Sequence, residues 1–289
     1  MKRRLRAALV IARRQALETA LSPGLYVTLA LGLLLGFFLV SGFAASIDTA
    51  GFNPALNPLY DMLGRSLAGA FGSAFVQKLF AEGPFLFALV VSFLPVFLFL
   101  SISSVFRFGQ EKNAGAVELL AYGPADGTSY IVASFLKDIV FTAATLALIA
   151  AFLAAAAALG NLVLGPLFLA SLPVLFALAL AVFGYGALCS VLSAHASSAL
   201  AAFIGILLVF LLVLVGSLSI VSASVRTGAS IAAAVLQWIS PFFYASLCLK
   251  AAQVGSLAGV LGGLGLLLVL AAALIGAGHL AISRRGVRA

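Results

Sequence analysis

Charged side chains are nearly missing from this sequence: Asp, Glu, Lys and Arg make up 8% of its 289 residues, against roughly 25% in an ordinary soluble domain. That excludes a water-soluble globular protein, whose surface needs those groups. Cysteine, methionine and histidine occur twice each and tryptophan once. Cys189 and Cys248 fall in segments expected toward opposite faces, so neither a disulfide nor a thiolate metal site is expected. His195 reads as a solvated turn residue and His279 as an interfacial one. The sequence has no GxxxxGK[ST] phosphate loop, no HExxH helix and no GxSG-like serine context. The chain is therefore not expected to hydrolyse nucleotide, hold a metal or cofactor, or act as an intramembrane enzyme.

What is present is apolar. Hydrophobic residues make up 64% and the mean hydropathy is +1.25. Runs of about 20 apolar residues match the roughly 30 Å hydrocarbon layer. Six spans are expected, at about 24–46, 84–106, 130–158, 166–192, 198–222 and 257–282. The fold class is then an all-α integral membrane protein, with residues 1–289 forming one transmembrane domain. A cleaved signal peptide is the poorer reading of the N-terminus, because Leu25–Ala45 exceeds a usual h-region and further spans follow. The net charge of +8 sits mostly beside spans: Lys2, Arg3, Arg4, Arg6, Arg13 and Arg14 at one end, Arg284, Arg285 and Arg288 at the other. It points to anionic lipid headgroups and not to nucleic acid. Arg107 and Lys112 join these on one side, while Arg65, Lys78, Arg226 and Lys250 fall on the other, so both termini are expected to be cytoplasmic.

Local signals divide the chain further. Residues 2–21 place Leu5, Ala8, Leu9, Ala12, Ala16 and Ala20 on one arc of a helical wheel, the pattern of an interfacial helix, and Pro23-Gly24 offers a corner into the first span. Pro84 and Pro166 suit first turns; Pro95 and Pro173 lie inside spans and are expected to kink them. Outside, Leu63–Phe80 can form a short amphipathic helix. Ala229–Ile239 and Ala245–Gln253, separated by Ser240-Pro241, are apolar but too short to cross and read as a re-entrant helical pair before the sixth span. Gly32 and Gly36, and Gly255, Gly259 and Gly263, are packing surfaces of the GxxxG kind. The middles of the spans are free of charge except for Lys137 and Asp138 in the third. Being adjacent, these two are expected not to face each other, with the lysine snorkelling and the aspartate capped or wet. Ser217, Ser219 and Ser222 near the outer end of the fifth span are a candidate exit path; helix back-bonding is the alternative.

The loop 107–128 is the most specific segment. Glu111–Ala121 puts Ala114, Val117 and Ala121 on one helical face and Glu111, Lys112 and Glu118 on the other, a helix too short to be stable without a partner. Its Glu111, Gly115, Glu118, Leu120 and Pro124, followed by Lys137 in the next span, resemble the signature joining the second and third spans of type 2 exporter permeases of the ABC transporter superfamily. Ala116 departs from it, standing where Thr or Ser is usual. The resemblance implies a bacterial inner-membrane permease subunit of an ATP-driven exporter, a homodimer or heterodimer engaging two copies of a separate ABC ATPase. Glu111, Gly115, Val117, Glu118, Leu120 and Pro124 would dock on that ATPase, which would carry ATP and Mg; an accessory extracytoplasmic protein is a further possible partner. Cargo would be hydrophobic or amphipathic. The alternative is an ABC-type subunit that transmits force to extracytoplasmic partners without moving a solute.

Overall fold

The computed structural model describes residues 2–48, 51–53, 56–71, 80, 84–113, 127–218 and 235–285. Nine helices account for nearly all of these: α1 (Lys2–Ala20), α2 (Pro23–Ala45), α3 (Pro58–Phe71), α4 (Pro84–Asn113), α5 (Gly127–Leu159), α6 (Pro166–Leu192), α7 (Ala196–Leu218), α8 (Pro241–Gln253) and α9 (Leu257–Arg285). A two-residue antiparallel ladder, β1 (Ile47–Asp48) with β2 (Gly51–Phe52), pairs Ile47 with Phe52. Six helices, α2, α4, α5, α6, α7 and α9, are long and apolar enough to cross a membrane.

Proline sets several of the starts. Pro23, Pro166 and Pro241 occupy the first turns of α2, α6 and α8, where a missing N–H removes no intrahelical bond. The corner between α1 and α2 is therefore Leu21-Ser22, ahead of the Pro23-Gly24 expected to make it. Two helix ends close in the same way: Asn161 (φ 53°) after α5 and Gly255 (φ 73°) after α8 take the left-handed conformation. The next amides reach back, Leu162 N–H to the Ala157 carbonyl and Ser256 N–H to that of Ala251, both at 2.9 Å.

The central element is α6, which packs against α4, α5, α7, α8 and α9. Its buried residues, from Phe168 through Val174, Ala181 and Gly184 to Ser190, point in every direction around the helix. A helix that is apolar all round needs such enclosure. Pro173 lies inside α6 and Pro95 inside α4. Of the expected packing glycines, Gly32, Gly36, Gly259 and Gly263 lie against neighbours within the chain, whereas Gly255, just past α8, has nothing within 4 Å of where a Cβ would stand. A side chain at Gly32 would meet the Ser92 carbonyl of α4, and one at Gly263 would meet the Cys248 sulfur of α8. Both cysteines are buried and free.

Four elements differ from their sequence-based bounds. The second span does not stop at 106: α4 continues to Asn113 because Val105 and Phe108 are still buried and Gly109 lies against Ala196 at the start of α7. The amphipathic helix expected outside begins at Pro58, not Leu63, pinned where the Tyr60 hydroxyl donates to the Leu39 carbonyl at 2.7 Å. Burial pushes that hydroxyl above the usual phenol range. Tyr60 also meets Phe43 and Phe80 edge-on or tilted, closing that end of the bundle with aromatic rings. The second arm of the expected pair starts at Pro241, not Ala245. Of the first arm, 235–239 is helical; the Tyr185 hydroxyl donates to the Ile239 carbonyl at 2.6 Å and that of Tyr244 to Trp238 at 2.7 Å. The turn before α8 is thus seated beside the second half of α6. Finally, the buried face of α1 is turned from the expected arc: Ala8 and Ala12 of that arc are buried, but Gln15 and Thr19 join them while Leu9 is exposed.

Candidate functional site

The sequence-based coupling residues Gly115, Val117, Glu118, Leu120 and Pro124 lie outside the described residues, as do Ser219 and Ser222. The backbone of Ser217 falls in the last turn of α7. Glu111 is placed: it sits half-buried on the last turns of α4, and the Tyr130 hydroxyl of α5 makes a side-chain hydrogen bond to it. The root of the 107–128 stretch is therefore rigid span helix and not the start of a separate one.

Around Glu111 the ends of α4 and α5 form a polar seam closed on one side by α1. Its apolar frame is Ala8 and Ala12 against Ala133, with Ile11 and Leu136 alongside, then Phe108, Tyr130 and Ile131 with Ile275 and Ile282 of α9. Both chain ends consequently lie at this end of the bundle. Within the frame, the Ser134 hydroxyl donates to Gln15 Oε1 at 3.1 Å and the Thr19 hydroxyl to the Gln15 carbonyl at 2.9 Å. Tyr130 also bonds Ser134 and Gln15. Arg107 of α4 donates to Glu18 of α1 at 3.1 Å, and Glu18 takes a second bond from Arg14 at 2.8 Å. That carboxylate, by hydrogen bond and charge, raises the Arg14 guanidinium above its usual value. Next to Glu111, the Lys112 ammonium donates to the Ser193 carbonyl at 2.9 Å, placing a cation where α6 ends with its negative dipole pole.

One helical turn deeper lies the feature that reverses an expectation. Lys137 and Asp138 do face each other: Lys137 Nζ is 2.9 Å from Asp138 Oδ1, with side chains 2% and 3% exposed. Neither snorkels to the surface nor reaches bulk solvent. Their Cα–Cβ bonds diverge, as adjacent helical positions must, but the lysine's four-carbon stem folds back across the gap. The other carboxylate oxygen, Oδ2, accepts from the Ser104 hydroxyl of α4 at 2.7 Å, and the Arg107 charge also acts on this group. The ion pair is close but lacks hydrogen-bond alignment, leaving Oδ1 without a directed donor. Beside it lies a cavity of about 20 Å³ lined by Ser104, Ser134, Asp138 and Ser190 among aromatic and aliphatic side chains.

Sequence reasoning passed over Gln15, Thr19, Ser104, Ser134 and Tyr130. A signal existed: positions 8, 12, 15 and 19 follow the 4-3-4 spacing of one helix face, hidden because two of them are polar. No family model matches the sequence, and no curated protein matches it.

Proposed function

We propose that this chain is the permease subunit of an ATP-driven ABC exporter, with hydrolysis in a separate ATPase that docks on residues 111–124. The observation that carries the proposal is the bracing of that segment's two flanks. Glu111 on α4 is tied through Tyr130 to α5, and through Gln15 to α1, so a push on the segment moves two long spans as levers instead of bending a loop. A short amphipathic stretch that needs a partner, held between two rigid arms, is what an ATP-driven stroke requires. Among the described residues Arg6, Arg13 and Arg14 of α1 and Arg107 and Lys112 of α4 gather at this end, which supports a cytoplasmic orientation in a bacterial inner membrane. The seating of Ile239 beside the second half of α6 supports the re-entrant pair. Because α6 is enclosed by five helices, a route for hydrophobic or amphipathic cargo runs along outer faces, between two copies of the chain. Ser217, Ser219 and Ser222 are candidates for its exit.

Purification of the tagged chain from its native membranes tests the proposal. Recovery of an equimolar protein bearing a GxxxxGK[ST] loop is the expected result; a chain that purifies without any ATPase under conditions that keep other membrane complexes intact overturns it.

A further inference from the structure

We infer that the cavity beside the Lys137–Asp138 pair is a binding site for a single water molecule, which donates to Asp138 Oδ1 and keeps the pair ionised inside the bundle. The wall of the cavity specifies this occupant by chemistry, charge and size. Its three hydroxyls have their protons committed elsewhere. Ser104 donates to Asp138 Oδ2, Ser134 to Gln15 Oε1, and Ser190 to the Gly186 carbonyl at 2.8 Å. The polar residues that line the cavity therefore offer it oxygen lone pairs, and one of them, Asp138, carries a buried oxygen, Oδ1, with no aligned donor. Such a wall binds a donor.

A metal cation is a donor-seeking site's usual alternative, but the lysine already neutralises the one carboxylate, and a second positive charge would stand against an ammonium 2.9 Å from the same oxygen. An anion finds only acceptors. Water is neutral and brings two protons, enough for Asp138 and one serine. A volume of about 20 Å³ exceeds the roughly 10–15 Å³ that one water needs and leaves no room for a larger solute. The remaining lining, Phe108, Ile131, Phe135, Phe183 and Ala187, is apolar or aromatic. Since a buried charge with an unfilled oxygen is costly, the water belongs to the fold wherever the pair is charged. The inference stands apart from the transport proposal.

Ala187 on α6 gives the test, because threonine and valine have the same shape and differ only in a hydroxyl. Ala187→Thr supplies in place of the water a proton for Asp138, whereas Ala187→Val displaces the water and supplies nothing. In thermal unfolding of the purified full chain, the Val variant should melt at least about 2–4 °C below the Thr variant. Valine equal to or above threonine overturns the inference, and so does valine equal to or above the unaltered protein, because a dry cavity gains from being filled. The unaltered protein offers an independent reading by X-ray-driven hydroxyl-radical labelling, in which a bound water marks its buried neighbours. Phe183 should be labelled while the buried Phe203 is not; Phe183 left unlabelled beside a labelled Met62, exposed on α3 outside the spans, overturns the inference even if both variants fail to fold.

Discussion

Arg107 and Glu18, 89 residues apart in sequence, meet at 3.1 Å and join the second span to the N-terminal helix. The pair is partly exposed, at 28% and 40%, so solvent screens it and its contribution is about 0.2–1 kcal/mol. A double-mutant cycle with Arg107→Gln and Glu18→Gln should return a coupling of that size, shrinking in high salt. A salt-independent coupling would mean that the two side chains matter through packing instead.

Lys137 and Asp138 should behave unlike that surface pair. Lys137→Met alone strands a buried carboxylate and should cost about 3–5 kcal/mol, while Lys137→Met with Asp138→Leu removes both charges and should be close to neutral. Thermal melts of the three proteins decide it. Equal losses in single and double variants would show that the pair's charges do not compensate one another.

The glycines divide into those that other helices touch and those that none does. A side chain at Gly32 would meet the Ser92 carbonyl, a backbone atom that cannot step aside, whereas nothing lies within 4 Å of that position at Gly262. Gly32→Ala should destabilise by about 1–3 kcal/mol through overpacking of α2 on α4, and Gly262→Ala should stay within about 0.5 kcal/mol of wild type. If Gly262→Ala is the damaging one, that face of α9 is covered by a second copy of the chain.

Topology is open to direct labelling. In a background lacking Cys189 and Cys248, cysteine at exposed Leu56 should react with an impermeant maleimide in intact cells. Cysteine at exposed Gln110 should react only after the membrane is opened. The reverse pattern inverts the orientation.

The spans were legible because hydrophobic length and proline punctuation are properties of the chain itself. Helix ends at 113 and 241 were less so: Phe108 and Gly109 extend α4 by packing on neighbours that only the folded chain brings near. The Lys137–Asp138 pair escaped because adjacent helical positions were judged by where their Cβ atoms point, ignoring the reach of a lysine stem. Gln15 and Thr19 were missed because a buried face was sought in apolar residues alone. The seam they line is amphipathic on its inner side. The resemblance of the 107–128 stretch to exporter permeases drew attention to Glu111, which lies in the last turns of α4; its coupling role, like the rest of that motif, is argued from sequence.

The account turns on residues 111–124 transmitting force from a partner, and ATP hydrolysis by the assembled complex measures this most directly. Gly115→Trp inserts a bulky ring into the proposed docking surface. Glu118→Arg reverses a carboxylate whose charge-assisted hydrogen bonds are worth roughly 1.5–3 kcal/mol, about one to two decades. Each variant should insert and melt like wild type yet lose either the co-purifying ATPase or at least about tenfold of its cargo-stimulated hydrolysis. Full ATPase recovery and undiminished stimulated hydrolysis in both variants would contradict it.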